Sequence, residues 1–440
     1  MIQTPLEMLI LSGVKGDTRR YRTFHLHQQL TYAGVAAQVA HITTPGIATR
    51  AAAADLLVLH RVPADRYVEK LIRLVHAHDG MVLYDTDDLI FDPSAFQWIH
   101  SPDFQDPIRV RVYQEEMCRQ RQTLDRCDGV LVSTDYLAGL VRQLGKPVWV
   151  HRNAANFEML ANSRAASRRP ADDRVVIGYA SGTPTHNRDF ALVAPALETI
   201  LEEYSQTELW LIGYLDPPAR LARFGARVRT VPPVNWRDLP ALLAQLDINL
   251  APLVPDNPFS QSKSEIKFME AALVGVPTLA SATDAFQFAI SPGRNGLLVQ
   301  HDADWFAGLQ ALMDPDFRQV LGGRARTDVL ARYTPPERAR NAIDTLNAVG
   351  IHHHHPLKLV FNPDPSADPA RLAWPLEMEA YPSLRQMGLY SLRRRGPGTL
   401  LKQIWIYLRR LLAGWIPYGG RSHGQGDRRD RRENDGSIIQ

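Results

Sequence analysis

A polar loop and the helix after it, in the second half of the chain, hold the residues best suited to chemistry. Ser262 and Glu265 have the spacing of a capping box, so we predict that the helix begins near Ser262. At 100° per residue, Lys263, Lys267 and Glu270 share one stripe of that helix. A helix amino end with lysines suits a diphosphate, and a carboxylate two turns later suits ribose hydroxyls. The segment predicts a nucleotide site, with a solvated face carrying an ordinary Lys–Glu pair as the alternative.

A second candidate site is the cluster of carboxylates at Asp85, Asp87 and Asp88. It follows the apolar run 81–84, and the carboxyl ends of such strands are where open α/β sheets bind ligands. Like charges so close together are expected to raise the pKa of at least one carboxyl group. Three roles stay open: a metal site, an acid, base or acceptor-orienting site, and a structural loop whose aspartates cap the next turn.

Two glycine-containing turns also follow apolar runs. The first holds Gly13, Gly16, Arg19 and Arg22, and the second holds Gly182, His186 and Arg188. Glycine-rich turns let backbone N–H groups approach an anion, and Arg188 could clamp a diphosphate. The alternative for both segments is an ordinary strand-to-helix turn.

The elements that must position these residues alternate regularly along the chain. We predict strands at 6–11, 35–42, 55–60, 81–84, 129–132, 147–150, 175–179, 209–212, 227–231, 248–251, 278–280 and 297–299, with helices between most of them. Continuous apolar strands separated by helices are typical of buried parallel sheets. We therefore expect an α/β protein with two Rossmann-like domains that face a cleft.

Changes in composition divide the chain into six parts. We predict an N-terminal, acceptor-side domain at 1–161, a linker at 162–174, a C-terminal nucleotide-binding domain with closing helices at 175–349, a Pro-rich arm at 350–398, a basic amphipathic helix at 399–418 and a disordered tail at 419–440.

Composition excludes several classes of protein. With 440 residues, 45% apolar and 22% charged, the chain is long enough for two or three globular units and is not fibrous or disordered as a whole. Its two cysteines exclude a disulfide framework and an all-cysteine zinc site. The net charge is +3, but residues 385–433 carry +9, so the rest of the chain is acidic. We predict no nucleic-acid partner.

The basic tail suggests where the protein acts. Residues 399–418 combine an apolar stripe with lysine and arginine, a pattern that favours an anionic membrane surface, with a partner helix or the protein's own body as alternatives. The run His352–His355 could bind a transition metal, but its Pro-rich surroundings argue against this. Without a signal peptide or an apolar span, we expect a cytoplasmic protein that binds peripherally to the inner face of the membrane.

A family resemblance sharpens the first of these sites. The stretch 267–281, Lys-Phe-Met-Glu-Ala-Ala-Leu-Val-Gly-Val-Pro-Thr-Leu-Ala-Ser, resembles the donor-binding signature of glycosyltransferase family 4, whose members have the GT-B fold. The resemblance covers about residues 1–345. Residues 152–156 are similar to the segment that ends the first domain of that family, and residues 231–252 to its nucleobase-side loop and the following strand.

The resemblance implies roles for the candidate residues. Glu270 would hold the donor ribose, the turn with Gly13 and Gly16 would lie beside donor phosphate and acceptor, and Arg188, or His186, is the match to a basic residue that the family has in the turn after Gly182. The other assignments come from the residues themselves. They place Ser262, Ser264 and Lys267 with Gly182 and His186 on the donor side, make Asp87, Asp88, Arg188 and Lys263 catalytic, and place Arg19, Arg22 and Asp85 on the acceptor side. One position departs from the family pattern. Ser262 stands where family members commonly have Glu, so the usual role of that Glu cannot be carried over.

The expected function is transfer of a sugar from a nucleotide-diphosphate sugar to a saccharide or lipid-linked acceptor, with retention, in synthesis of surface polysaccharides or glycoconjugates. Arg188, Lys263 and the helix end at Ser264 would stabilise the departing diphosphate, so the scheme requires no metal and no cofactor. The alternatives are a non-catalytic subunit and a sugar-nucleotide epimerase, both on the same fold.

Overall fold

The structure, a computed structural model, describes residues 6–170, 172–183, 186–215, 217–352 and 359–363, together with 398, 401 and 404. The side chains of the histidine run 352–355, most of the predicted arm and the whole tail 419–440 lie outside the described residues. Of the predicted amphipathic helix 399–418, only Leu401 and Ile404 are described, and both are helical and exposed.

Two six-stranded parallel sheets form the two domains. The strand order is β2-β1-β3-β4-β5-β6 in the first sheet and β12-β11-β10-β7-β8-β9 in the second. The strands are β1 Met8–Ser12, β2 Ala37–His41, β3 Leu56–His60, β4 Met81–Thr86, β5 Gly129–Val132, β6 Val148–Val150, β7 Val175–Ser181, β8 Thr207–Gly213, β9 Val228–Val231, β10 Ile248–Ala251, β11 Thr278–Ser281 and β12 Leu297–Val299. All correspond to predicted strands, and the predicted fold class is confirmed.

Helices lie between the strands and cover the sheets. They are α1 Asp17–Arg19, α2 His25–Tyr32, α3 Ile47–Ala51, α4 Arg66–His76, α5 Pro107–Arg126, α6 Asp135–Gln143, α7 Phe157–Ala165, α8 Asn187–Glu203, α9 Leu239–Leu243, α10 Pro258–Gln261, α11 Ile266–Leu273, α12 Asp284–Ala289, α13 Asp304–Ala311, α14 Pro315–Arg332 and α15 Pro335–His352. A π-helical turn, Arg20–Phe24, joins α1 to α2, and 3₁₀ turns occur at Pro93–Trp98, Pro102–Gln105 and Ala219–Arg227.

The register of the first sheet aligns the ends of three strands. Ser12 of β1 pairs with His60 of β3, and His60 pairs with Asp85 of β4. The loops that follow β1, β3 and β4 therefore leave the sheet from neighbouring positions. This is why the first glycine turn and the aspartate cluster, about 70 residues apart in sequence, meet at one edge.

Both faces of the first sheet are buried. Leu9, Leu57 and Val82 belong to the core on one face, and their neighbours in sequence belong to the core on the other face. This alternation explains why the strands read as continuous apolar runs.

The last long helix, α15, crosses back to the first domain. Its apolar side chains, Ala339, Ile343 and Leu346, are buried in the same core as Leu30 of α2. The prediction assigned 175–349 to one domain, whereas this helix covers the outer face of the other sheet. The predicted linker also differs, because α7 extends into it as far as Ala165.

The predicted capping box is wrong. The helix α11 begins at Ile266, and Glu265 precedes it without a capping hydrogen bond from its side chain. Ser262 instead ends the short helix α10, where its N–H donates to Pro258 O and its hydroxyl to Phe259 O. Because Pro258 starts a separate helical turn, Ser262 lies at a helix end rather than a helix start.

Candidate active site in the interdomain cleft

The first wall of the cleft, which residues of the first domain form, contains a buried ion pair. Arg22, in the π-helical turn, donates to both carboxylate oxygens of Asp85, at 3.0 Å and 2.5 Å. His60 lies 2.9 Å from the same carboxylate. Burial alone would raise the pKa of Asp85, but Arg22 and His60 outweigh it and hold the pKa well below its usual range. Arg22 and Asp85, predicted on the acceptor side, are thus bound to each other in the interior.

Asp87 is also held by groups of its own domain. It accepts a 2.6 Å hydrogen bond from Thr18 and lies 2.7 Å from Arg61. Burial opposes ionisation of Asp87, yet Arg61 and His60 lower its pKa below the ordinary value. The expected rise in pKa is therefore wrong for Asp85 and Asp87, because each carboxylate is paired with a buried guanidinium group.

Asp88 reaches across the cleft to the second domain. Its carboxylate lies 2.8 Å from Lys263 Nζ, and it accepts a 3.3 Å hydrogen bond from the Ser262 hydroxyl. Arg61 lies 3.3 Å from it on its own side. Ser262 is fully buried. Its hydroxyl contacts Asp88 of the first domain, whereas the prediction gave it a contact with the donor substrate.

The turn after β1 passes very close to Arg61. A Cβ atom at Gly13 would lie 2.3 Å from Arg61 O, so a side chain there would displace the backbone. Arg61 itself has φ of 45°, an uncommon value for a residue other than glycine. Gly13 therefore allows the close packing that brings Arg61 to Asp87 and Asp88.

Tyr21 contacts the predicted ribose-binding residue from the opposite wall. The Tyr21 hydroxyl donates to Glu270 Oε1. The Arg20 guanidinium lies 4.3 Å from the Tyr21 ring centroid and 4.5 Å from that of Trp236. Burial raises the pKa of Glu270, although Tyr21 and Arg20 oppose the rise. The contact places Glu270 at the cleft, as the helix stripe predicted.

Lys267 lies one turn before Glu270 on α11. Its ammonium donates to Ala180 O, near the end of β7, and lies 5.0 Å from the Tyr179 ring centroid. Burial lowers the pKa of Lys267 to about 8, and Glu270 and Asp189 oppose the fall. This cation is therefore poised to lose its proton within the range of ordinary assays.

The glycine turn after β7 belongs to the second wall of the cleft, which residues of the second domain form. Part of this turn is exposed to solvent. Gly182 and Arg188 are exposed, and Arg188 donates to His100 of the first domain. His186 lies 2.8 Å from Asp189, and burial lowers its pKa. Arg188 is thus at the cleft rim, held by a partner that a ligand can displace.

The remaining predicted residues are placed as follows. Gly16 precedes α1 with φ of 79°. Arg19 is buried, with its guanidinium 4.6 Å from the Phe24 ring centroid, so it faces the interior of its own domain. Ser264 accepts a 2.9 Å hydrogen bond from Asn153, another contact between the domains.

Solved structures share this architecture. Sucrose-phosphate synthase from Thermosynechococcus elongatus is 16% identical with a TM-score of 0.56, covering 79% of this chain and 100% of that one. Anabaena HepE in complex with UDP and glucose is 14% identical with a TM-score of 0.54, covering 78% and 100%. A glycosyltransferase from Rickettsia africae is 11% identical with a TM-score of 0.54, covering 78% and 98%. At such identities the likeness shows the GT-B fold.

The sequence of the second domain matches a family of glycosyltransferases. Residues 174–314 match the family model described as glycosyl transferases group 1. The chain has the GT-B fold, and its second domain is similar in sequence to the group 1 glycosyltransferases. The matched family is the broad group, so membership of family 4 stays a prediction. No curated protein sequence matches the chain significantly.

Sequence reasoning missed several residues of the glycosyltransferase cleft. Arg61 bridges Asp87 and Asp88, Tyr21 contacts Glu270, and Thr18 and His60 hold the aspartate loop. Arg61 directly follows a strand that the sequence predicted, so the rule that ligands bind at carboxyl ends of strands could have found it. Tyr21 carried no signal, because its partner is 249 residues away.

The described part of the chain contains neither a metal-binding cluster nor a membrane-spanning helix. Within that part, no cluster of three or more histidine, cysteine, aspartate or glutamate side chains is arranged to hold a metal ion. None of the helices described there is long and apolar enough to cross a membrane.

Proposed function

We propose that this glycosyltransferase transfers a sugar from a nucleotide-diphosphate sugar, bound mainly by the second domain, to an acceptor that meets the first domain. The observation that carries the proposal is the meeting of the two walls: Tyr21 with Glu270, and Asp88 with Lys263. A donor held by α11 would lie directly against the aspartate loop. Transfer requires such proximity of donor and acceptor.

Three groups of the second domain suit a nucleoside diphosphate. Glu270 can accept hydrogen bonds from ribose hydroxyls, and Lys267 and Lys263 can pair with the diphosphate. Since HepE was solved with UDP and glucose, a uridine diphosphate sugar is the first donor to test. Arg188, at the exposed rim, would move from His100 to the phosphates.

The proposed chemistry rests on stabilising the departing diphosphate. Negative charge builds on that group as the glycosidic bond breaks, and fixed cations at Lys263 and Arg188 lower the energy of that state. The scheme calls for no metal ion, and we propose retention of the anomeric configuration on the basis of the family 4 resemblance. Asp87 and Asp88 would orient the acceptor, while Arg22 and Asp85 position their loop from inside.

The acceptor is proposed to be a saccharide or a lipid-linked saccharide, in synthesis of surface polysaccharides or glycoconjugates. The basic composition of residues 399–418 supports a lipid-linked acceptor, since a polybasic amphipathic segment binds anionic membrane surfaces.

Nucleotide binding tests the donor site directly. We expect one of UDP, GDP, ADP, CMP and dTDP, with UDP first, to raise the melting temperature with or without EDTA, because a ligand selective for the folded state stabilises it. Glu270→Ala should weaken that nucleotide by roughly 10- to 100-fold, as the loss of hydrogen bonds to a charged group implies. The exposed Glu203→Ala is the matched control.

Transfer is then tested with sugars of the selected nucleotide and a mixture of saccharide and lipid-linked acceptors. Unchanged nucleotide affinity in Glu270→Ala would contradict the assigned donor site. Tight nucleotide binding without transfer or hydrolysis of any donor would contradict the proposed activity and leave the donor site standing.

A further inference from the structure

A cavity of about 140 Å³ lies where the chain crosses between the two domains, away from the residues assigned to the donor. One crossing follows β6, where the chain passes from the first domain to the second, and it contains Arg152. The other crossing is the junction of α14 and α15, where the chain returns to the first domain, and it contains Arg332, Tyr333 and Arg338. The N–H of Ala155 donates to Tyr333 O at 3.0 Å, so the two crossings are joined by a backbone hydrogen bond. The cavity has room for several water molecules, since one needs about 10–15 Å³ on this measure.

Three guanidinium groups line this cavity, with a single carboxylate, Glu337, among its lining residues. Arg152 and Arg338 are only 5% and 8% exposed. Within the described part of the chain, Arg152 Nη1 and Arg338 Nε have no hydrogen-bond partner. Burial lowers the pKa of Arg338 to about 10, with a contribution from Arg152, although Tyr333 and Glu265 oppose the fall. Buried donors without acceptors are costly, so their presence beside a cavity points to a ligand.

Other contacts partly occupy these arginines. Arg152 pairs with Asp135 and lies 3.7 Å from Glu265 Oε1, and neither acid lines the cavity. Arg338 donates to Asn341 at 2.6 Å and to Arg152 O at 3.4 Å. These bonds fix the guanidinium groups in place and leave further N–H groups for an acceptor. A site whose donors are already fixed loses little entropy when it binds.

The exposed Phe288 ring closes one side of the cavity. Arg152 lies 3.3 Å and Arg332 4.6 Å from its ring centroid. Arg332 Nη2 also donates to Phe288 O at 3.3 Å, and the remaining N–H groups of the stacked guanidinium can recognise an oxyanion.

We propose that this cavity binds the phosphate group of a small phosphorylated ligand, at a site separate from the donor site. Three arginines match phosphate, because a guanidinium donates two parallel hydrogen bonds to its oxygens. The site also contacts the donor helix: Arg152 lies beside Glu265, which directly precedes α11 and accepts a 2.7 Å hydrogen bond from Tyr333. A phosphate bound to Arg152 would compete with Glu265 for that guanidinium group.

Calorimetric titration of the full-length protein with inorganic phosphate and with glucose 6-phosphate, in the presence of saturating UDP, tests the proposal. A parallel titration without UDP keeps the test valid if UDP does not bind. We expect saturable binding that Arg332→Gln weakens about tenfold, the effect of losing one charged hydrogen-bond donor. Arg326→Gln, an exposed change on the same helix α14, is the matched control and should bind like the wild type.

A second variant separates loss of the site from loss of the fold. Glu337→Gln removes the carboxylate that opposes the ligand, so the affinity for phosphate should rise several-fold. A misfolded protein would not bind more tightly. The absence of saturable binding with both probes, or affinities that neither Arg332→Gln nor Glu337→Gln changes, would overturn the proposal.

The source of the phosphate is distinguished by vesicles. Binding to phosphatidylcholine vesicles that contain phosphatidic acid, lost in Arg332→Gln and absent with phosphatidylcholine alone, would identify a lipid headgroup. Binding of glucose 6-phosphate without Arg332-dependent vesicle binding would identify a soluble metabolite.

Discussion

Charged side chains have different partners on the two walls of the cleft. On the first wall, Asp85 and Asp87 are paired with Arg22 and Arg61 of the same domain. On the second wall, Lys267 donates to the backbone oxygen of Ala180, and Arg188 is exposed at the rim.

The difference assigns different tasks to the two walls. A carboxylate bound to its own arginine is fixed in position and has little attraction left for a passing ion. The burial of Lys267 is only partly offset by Glu270 and Asp189, so this lysine is stabilised further when an anion binds. The pairing on the first wall favours rigidity, and the charges on the second wall suit the proposed binding of the diphosphate. The predictions below test this contrast.

The largest effect is expected on stability, from the first wall. Arg22→Met leaves the buried Asp85 carboxylate without its main partner, so the free energy of unfolding should fall by about 3–5 kcal/mol. Denaturant titration measures it. Arg111→Met, which removes the exposed pair of Arg111 with Glu115, is the control and should cost less than about 1 kcal/mol. Equal losses of unfolding free energy in Arg22→Met and Arg111→Met would contradict the proposed rigidity of the first wall.

A substitution on the second wall should change the affinity for the nucleotide. Lys267→Met removes a buried cation, so UDP affinity should fall roughly 10- to 100-fold. In the wild type, the charged form binds the diphosphate, so affinity is full below the pKa of Lys267, about 8, and falls as pH rises through it. Calorimetry across pH measures both effects. A variant with the same pH profile as the wild type would show that another group titrates.

The lowered pKa of Lys267 makes the free energy of unfolding depend on pH. Its pKa in the folded protein, about 8, lies below the ordinary 10.5, so the unfolded chain binds more protons between these values. The free energy of unfolding from this group therefore rises as pH increases through that window. In Lys267→Met that contribution is absent, and denaturant titrations at pH 7 and pH 10 compare the two proteins.

Asp88 joins the walls, and its replacement should separate binding from turnover. Asp88→Asn weakens the contact with Lys263 that holds the domains together, so kcat should fall about fivefold, equivalent to about 1 kcal/mol. UDP affinity should stay unchanged or rise, because Lys263 is released for the diphosphate. Steady-state kinetics with the identified donor, beside UDP titration, measures the two. A loss of UDP affinity larger than the loss of kcat would place Asp88 on the donor side.

The smallest effect is expected from Tyr21→Phe. It removes one hydrogen bond to Glu270 and frees that carboxylate for ribose, so UDP should bind up to about fivefold more tightly, within about 1 kcal/mol. Weaker binding by the same factor would show that the Tyr21 hydroxyl contacts the nucleotide instead of competing with it.

Local pattern was enough to predict the strands and the face of α11. Buried parallel strands are apolar on both faces, so runs such as Leu56–His60 stand out without any knowledge of their neighbours. The stripe of Lys267 and Glu270 follows from helix geometry alone. The start of α11 was predicted wrongly because capping depends on where the preceding turn ends, and Pro258 had already begun another helix.

Partners across the cleft could not be predicted from spacing. Glu270 and Tyr21, or Asp88 and Lys263, lie in different domains, and no local rule relates positions so far apart. The same holds for the pKa shifts of Asp85 and Asp87. The cluster of aspartates suggested repulsion, while the folded protein pairs Asp85 with Arg22 and Asp87 with Arg61, which lower the two pKa values.

The sequence by itself determined two parallel α/β domains, the stripe of α11 and the edges where ligands bind, because apolar period and residue type act over a few residues. Only the tertiary structure decided which charges are neutralised and which stay available, and that α15 returns to the first domain. The physical reason is that desolvation and pairing depend on distances in space, which the packing of distant segments sets.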